Sequence, residues 1–201
     1  MRYIETIDEL ESYYGTPGKA STEKVANALT PLYRRWISAA RFCVLTTVGP
    51  EGTDASPRGD DGPVVLELDA RTLALPDWHG NNRMDSLRNI VRDARVSLMF
   101  MIPGSNNVVR VNGTAKLTVD DTLRSRFERS GKLPRSVAVV RISEIYFQCA
   151  RALMRSGLWT SGDRSGGLPT PGALLSEASK GAEGGADYDA AWPERAAKTM
   201  W

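Results

Sequence analysis

The chain has 201 residues, of which 41% are hydrophobic and 25% are charged, and its formal net charge at pH 7 is +2. This composition suits one well-buried domain with appendages and excludes a wholly disordered chain. The small net charge gives no support to nucleic-acid binding. No segment reaches the roughly 18 to 20 apolar residues of a membrane span, and the start, MRYIETIDEL, lacks the pattern of a signal peptide. We therefore expect a cytoplasmic protein that binds neither nucleic acid nor membrane.

Helices are predicted for the first forty residues. The capping box in residues 6–9 begins a helix that Gly15 ends. A second helix is predicted from about Ser21 to Leu29. The pair Thr30-Pro31 then supplies an N-cap and a first-turn proline for a third helix.

Strand patterns begin at residue 41. FCVLTTV and TDASPRG flank the turn GPEG, which predicts a hairpin, and PVVLELD with TLALPD predicts a second one. MDSLRNIVRDA has helical periodicity, and VSLMFMIPG is a strand that we expect to be buried on both faces or against another subunit. NVVRVNGTAKLTV alternates cleanly, a helix is predicted from Asp120 to Arg129, and SVAVVRISEIYFQCA is the last strand. The fold class is therefore α+β with an antiparallel barrel or sandwich at its core.

The last forty residues are predicted to form an arm. Residues 161–201 are rich in Gly and Ala and hold few large apolar side chains, so they cannot build their own core. Short helices are predicted at GALLSEASK and WPERAAKTMW. We expect Trp192 and Trp201 to pack on the barrel or on a neighbouring subunit.

Histidine and cysteine are too scarce for most side-chain chemistry. Cys43 and Cys149 are the only thiols, and their apolar neighbours predict reduced core cysteines. His79 is the sole histidine, so the usual zinc sites cannot be assembled in one chain and no metal is expected. Because LPDWHGNNR reads as a turn, a solvated or loop-packing His79 is favoured. We therefore expect that a bound cofactor, and not a side chain, supplies any chemical reactivity.

Three stretches could bind an anion. Arg58, in SPRGD at a strand end, could reach a carboxylate or phosphate, or it could form a surface pair with Asp60 or Asp61. The stretch from Pro76 to Asn89 leads from a turn into a helix, where backbone N–H groups, amides and Arg83 could meet a phosphate.

The alternative for that second stretch is a simple capped helix in which Arg88 and Arg92 are solvated. The third stretch, RALMRSGLW at residues 151–159, could clamp a flat anionic ligand, or it could be a packing turn. Neither a P-loop nor a Rossmann motif is present.

Together and in this order, these stretches resemble the pyridoxamine 5′-phosphate oxidase-like FMN-binding proteins, which are split β-barrel flavoproteins. The resemblance is carried by SPRGD, by LPD with GNNRMDSLRNI, by RVSLMFMIPG, by VNGTA and by CARALMRSGLW. It runs from about residue 5 to residue 160. The resemblance implies a split antiparallel β-barrel with N-terminal helices and short inserted helices in residues 1–160, followed by the arm.

The resemblance also implies a homodimer with FMN sites at the subunit interface. Residues carried over as FMN-binding are Arg58, Asn82, Arg83, Ser86, Asn89, Arg155, Ser156 and Trp159, the last three in a C-terminal segment that can approach the flavin from the partner chain. True pyridoxamine phosphate oxidases have Ser-Arg-Lys where this chain has Met84-Asp85-Ser86. Their basic elements for pyridoxal phosphate are also not recognisable here. We therefore do not expect vitamin B6 oxidation.

Two functions follow from this resemblance. The first is an FMN-dependent oxidoreductase, in which flavin N5 exchanges a hydride or electrons with a small molecule or a reduced nicotinamide donor. No catalytic residue is assigned. The alternative is a non-catalytic dimeric binder or carrier of flavin, haem or another flat anionic ligand, because a general acid or base is not evident.

Overall fold

The computed structural model describes residues 1–201. The strands are β1 (Phe42–Gly49), β2 (Gly52–Gly59), β3 (Leu66–Asp69), β4 (Thr72–Asp77), β5 (Arg95–Met101), β6 (Val108–Thr118) and β7 (Ser136–Gln148). The helices are α1 (Ile7–Tyr14), α2 (Lys19–Glu23), α3 (Pro31–Ala39), α4 (Asp85–Arg92), α5 (Asp121–Ser125), α6 (Arg151–Ser156), α7 (Pro171–Ala178), α8 (Ala186–Ala190) and α9 (Trp192–Thr199). None of the helices is both long and apolar enough to cross a membrane.

The seven strands form one antiparallel sheet in the order β2-β1-β5-β6-β7-β4-β3. The sheet curls so that β2 and β4, which share no backbone pairing, meet through side chains, since Arg58 of β2 forms an ion pair with Asp77 of β4. The sheet does not close by backbone hydrogen bonds. The predicted α+β fold with a split antiparallel barrel is therefore confirmed.

Alternating side chains fill the barrel interior. A cluster of 20 buried residues forms the core, and its largest fully buried side chains include Leu45, Leu98 and Phe100. On β6, Val109 and Val111 are buried as the alternation predicts. Because every second residue of a strand points inward, the sheet covers this core on one face only.

Several predicted elements differ in extent. α2 ends at Glu23 because the chain must extend for Ala26 to exchange two backbone hydrogen bonds with Ile145 of β7, at 2.9 and 2.7 Å. The helix predicted from Asp120 to Arg129 ends at Ser125. The residues of β5 that point outward are not buried in the single chain, so of the two predicted alternatives only burial against another subunit stays a prediction. The prediction of two core cysteines holds for Cys43 only.

The second cysteine, Cys149, is exposed because it follows the last residue of β7, where the chain leaves the sheet. Burial raises the pKa of the Cys43 thiol to about 12. The two thiols therefore differ sharply in reactivity, since the thiolate is the nucleophile.

The arm contains α7, α8 and α9, of which α8 was not predicted. Its end lies on the barrel, where the ring of Trp201 meets Trp78 edge-on with centroids 5.1 Å apart. Lys132 Nζ donates a hydrogen bond to the backbone oxygen of Trp201 at 3.1 Å. Trp192 stays 56% exposed. One of the two tryptophans of the arm therefore contacts the barrel in the single chain.

Candidate functional site

The inward face of β2 is polar, although the same face of its neighbour β1 is largely apolar. Asp54, Ser56 and Arg58 alternate along β2 and are all partly buried. They face Ser86 of α4 and Asp77 of β4. These five residues form what we call the polar seam, because they join β2, at one edge of the curled sheet, to β4, the strand next to its other edge.

The polar seam is a directed chain of hydrogen bonds. Ser86 Oγ donates its single proton to Asp54, so Ser56 Oγ must donate to Ser86 Oγ, at 3.0 Å. Arg58 Nε donates to Ser56 Oγ at 3.3 Å. The chain therefore runs from a guanidinium to a carboxylate through two hydroxyls.

Arg58 also forms an ion pair with Asp77, and the two side chains are only 20% and 19% exposed. The surface pair with Asp60 or Asp61, which the sequence left open, is therefore replaced by a pair with a residue of another strand. Arg58 lies at a strand end, as predicted. In the single chain its guanidinium holds β2 against β4 through this ion pair.

Helix α4 is fixed tightly against β1. Asn89 is buried, and its Nδ2 donates to Thr47 Oγ1 at 3.1 Å. A Cβ on Gly49 would lie 2.1 Å from Asn89 Oδ1, so only glycine permits this approach. Ser86 and Asn89 therefore hold the helix in place from its buried side.

A polar cavity of about 390 Å³ lies between α4 and the turn that joins β1 and β2. No hydrophobic residue lines it. Its charged lining consists of three arginines and three carboxylates: Arg83, Arg88, Arg92, Glu51, Asp54 and Asp85. An apolar groove of about 270 Å³ adjoins it and shares Arg88 and Arg92.

Two of the three arginines have acidic partners. Arg83 pairs with Asp85, and this hydrogen bond raises the pKa of Arg83. Arg92 pairs with Glu51, and this hydrogen bond lowers the pKa of the Glu51 carboxyl. Arg88 makes neither an ion pair nor a side-chain hydrogen bond, so its guanidinium remains available to an anion.

The start of α4 adds unpaired donors to the same region. Met84 occupies the N-cap position without a side-chain cap, so the first-turn N–H groups have no partner within the helix. Such N–H groups, together with the helix dipole, favour a negatively charged ligand.

Asn82 lies outside the cavity. Its φ is 62°, a left-handed conformation that asparagine tolerates, and its Oδ1 accepts a hydrogen bond from Arg135. His79 Nδ1 lies 2.8 Å from another nitrogen of the same guanidinium. His79 and Asn82 are both exposed, and Arg135 clamps the loop between them. The histidine therefore packs in a loop, as expected.

The C-terminal trio is also separate within one chain. Arg155 is exposed on α6, and Ser156 Oγ donates to the carbonyl of its own helix at 2.9 Å. Trp159 Nε1 donates to Ser105 O, in the turn after β5, at 2.7 Å. That turn adjoins the start of β1, whereas Asn89 contacts the other end of β1. Trp159 and α4 therefore lie toward opposite ends of the strand.

The structure thus brings Arg83, Ser86 and Asn89 together at α4 and links Arg58 to them through the polar seam. It leaves Asn82, Arg155, Ser156 and Trp159 elsewhere in the single chain. Asp54 was not predicted from the sequence, and Arg88 was assigned only to solvent. The alternation of Asp54, Ser56 and Arg58 was the available signal for Asp54. No group of His, Cys, Asp and Glu side chains is arranged to hold a metal ion.

Three solved structures are similar to this chain. A candidate pyridoxamine 5′-phosphate oxidase from Lactobacillus delbrueckii is 24% identical, covering 60% of this chain and 95% of its own, with a TM-score of 0.48. HupZ from Group A Streptococcus is 15% identical, covering 58% and 91%, with a TM-score of 0.48. An FMN-binding protein from Syntrophomonas wolfei is 15% identical, covering 58% and 88%, with a TM-score of 0.44.

No protein with a curated description matches the chain. The family model described as pyridoxamine 5′-phosphate oxidase matches residues 29–149, which is more than half of the chain and includes all seven strands. The chain therefore belongs to the pyridoxamine 5′-phosphate oxidase family.

Proposed function

We propose that this chain is an FMN-binding flavoprotein that acts as an oxidoreductase on a small molecule. The observation that carries the proposal is the polar cavity beside α4, with an unpaired Arg88 and uncapped N–H groups next to it. Membership of the family supports the choice of FMN, as does the FMN-binding protein of Syntrophomonas wolfei by its name.

The residues present fit the polar half of FMN. A phosphate dianion needs guanidinium and N–H donors, which Arg83, Arg88 and the first turn of α4 supply. The cavity volume of about 390 Å³ lies within the range of small-molecule sites. Asn89 and Ser86 position α4, and Arg58 acts through the polar seam. When bound, FMN supplies hydride or single-electron transfer, chemistry that the side chains of this protein do not offer.

The remaining predicted residues enter through a homodimer. Trp159 lies toward the other end of β1 from α4, so Arg155, Ser156 and Trp159 can serve a site at α4 only from a partner chain. The outward face of β1 and β5 carries Phe42, Val44, Met99 and Met101, none of which is buried in the single chain. An open apolar face of this kind suits a symmetric contact between two copies.

The substrate of such an enzyme is a small molecule or a reduced nicotinamide donor. We do not propose pyridoxamine phosphate oxidation, because the lysine of the Ser-Arg-Lys segment is absent. Ser86 stands at its position and already donates to Asp54. Arg83 and Arg88 are the basic groups that remain at this helix entry.

The test is spectroscopic. Purified protein, or protein supplied with FMN, should absorb near about 450 nm, as the flavin ring dictates. Arg83→Ala should weaken FMN binding, whereas Lys116→Ala, on the exposed surface of β6, should not. Anaerobic addition of reduced nicotinamide should bleach the band. Protein that stays colourless with added FMN contradicts the proposal.

The second candidate is a non-catalytic carrier of flavin, haem or another flat anionic ligand. The observation that favours it is His79, the only histidine, which is held by Arg135 in an exposed loop. The cavity thus has no histidine to act as general acid or base. Flavin that binds but is not reduced by any nicotinamide donor, with no effect of His79→Ala, supports this candidate.

A further inference from the structure

Not every charged group of the polar cavity has an ion-pair partner. Of its three arginines and three carboxylates, the pairs Arg83–Asp85 and Arg92–Glu51 satisfy two of each. One cation, Arg88, and one carboxylate, Asp54, are left without an ion-pair partner. The cavity therefore offers one free positive group and one free negative group to a ligand.

Arg88 lines this cavity, and its guanidinium makes no ion pair and no side-chain hydrogen bond. It lies on the same face of α4 as Asp85 and Arg92, which are three and four residues away and line the cavity with it. A guanidinium that makes no hydrogen bond to protein retains all its donors, and a phosphate oxygen pair matches its geometry. The free positive group therefore suits a phosphate.

Asp54 can accept more hydrogen bonds than it does in the structure. Its carboxylate accepts one hydrogen bond, from Ser86, although a carboxylate can accept about four. Asp54 is half-buried on the inward face of β2, and the polar seam fixes it through Ser86. A phosphate placed directly against it would be repelled, whereas hydroxyl groups could donate to it. The free negative group therefore suits a hydroxylated chain.

We propose that Asp54 is a further ligand-binding residue and that it acts together with Arg88 to select a phosphorylated polyol chain. Arg88 binds the phosphate, and Asp54 accepts hydrogen bonds from the hydroxyl groups of the chain. In FMN these are the terminal phosphate and the ribityl hydroxyls. The inference rests on the proposed flavin binding and assigns the recognition of the side chain of the flavin to two residues.

Three flavins separate the two roles, since FMN carries ribityl and phosphate, riboflavin carries ribityl only, and lumiflavin carries neither. Dissociation constants are measured by fluorescence titration of flavin-free protein. Arg88→Gln should weaken FMN binding about 10- to 100-fold, as loss of a charge-assisted pair predicts, and change riboflavin binding less than about twofold. Asp54→Ala should weaken riboflavin binding about tenfold and leave lumiflavin binding unchanged.

Arg92→Gln is the matched control for Arg88, because Arg92 lines the same cavity but is paired with Glu51 and lies in the last turn of α4, away from the free N–H groups at the helix start. It should change FMN binding far less. If Asp54→Ala does not fold, Asp54→Asn takes its place in the test, because the amide oxygen still accepts hydrogen bonds but more weakly than a carboxylate. Its expected loss of riboflavin affinity is then about threefold, again with lumiflavin unchanged.

The outcomes keep the two proposals apart. Failure of the wild-type protein to bind any flavin overturns the proposed function itself. Wild-type binding of FMN with equal losses for FMN and riboflavin in Arg88→Gln overturns the assignment of the phosphate. Equal losses for riboflavin and lumiflavin in the Asp54 variant overturn the assignment of the hydroxyl groups.

Discussion

The ion pair between Arg58 and Asp77 should stabilise the barrel more than any exposed ion pair of the chain. It joins β2 to β4, which have no backbone hydrogen bonds between them, and both side chains are about four-fifths buried. Exposed pairs contribute about 0–1 kcal/mol, whereas removing one partner of a fully buried pair costs about 3–5 kcal/mol. For Asp77→Asn we therefore expect a loss of about 2–3 kcal/mol in the free energy of unfolding.

The measurement is urea unfolding at a fixed protein concentration, because association with a partner chain would add to the apparent stability. The expected loss corresponds to a fall in Tm of about 5–10 °C for a chain of this length. The matched control is Glu51→Gln, because Glu51 also pairs with an arginine, Arg92, but at the surface, where the two side chains are 68% and 46% exposed.

A double-mutant cycle completes this test. Arg58→Met combined with Asp77→Asn should cost less than the sum of the two single changes, because each single variant leaves a largely buried partner unpaired. A loss for Asp77→Asn no larger than that for Glu51→Gln, or additive losses in the cycle, would refute the claim that the pair closes the barrel.

Three further outcomes are expected. A thiol reagent at pH 8 should label Cys149 at once and Cys43 only on unfolding, because the buried thiol of Cys43 has a pKa of about 12. Rapid labelling of two thiols per native chain would contradict this. Gly113→Ala should cost about 2 kcal/mol or more in unfolding free energy, since its Cβ would lie 2.0 Å from a carbonyl oxygen of β7, whereas Gly59→Ala, with a nearest contact of 3.7 Å, should cost far less. The pKa of the Asp93 carboxyl is lowered to about 2, from an ordinary 3.8, by the hydrogen bond from its neighbouring arginine. Its contribution to stability is therefore present above pH 4 and lost as pH falls toward 2, so wild-type and Asp93→Asn unfolding curves should converge there.

Local chemistry predicted most of the fold. Thr6 and Thr30 cap their helices as the sequence indicates, each accepting a hydrogen bond from the backbone N–H three residues later. The turn from Gly49 to Gly52 joins β1 to β2 as predicted. Helix α2 was mispredicted because a long-range contact, the pairing of Ala26 with Ile145, overrides local propensity. Such contacts leave no trace in a short window of sequence.

Less of the candidate site could be predicted. The helix entry that holds Arg83 was predicted because turn and helix signals adjoin there, whereas Ser86 was predicted only from the family resemblance. The partner of Arg58 could not be found, since Asp77 becomes its neighbour only when the sheet curls. Arg88 was assigned to solvent because a lone arginine on a helix usually is solvated. Only the ion pairs of Arg83 and Arg92 in the structure identify Arg88 as the cavity arginine without a partner.

The strand order has a consequence for synthesis of the chain. β1 gains its second neighbour only when β5 has been made, and β4 gains β7 only after residue 136. The bridge between Ala26 and Ile145 likewise waits for β7. Until the ribosome has released β7, the apolar inward face of β1 has no closed core to cover it. The nascent chain is therefore most exposed to aggregation over this interval, and the long β7 is the segment that ends it.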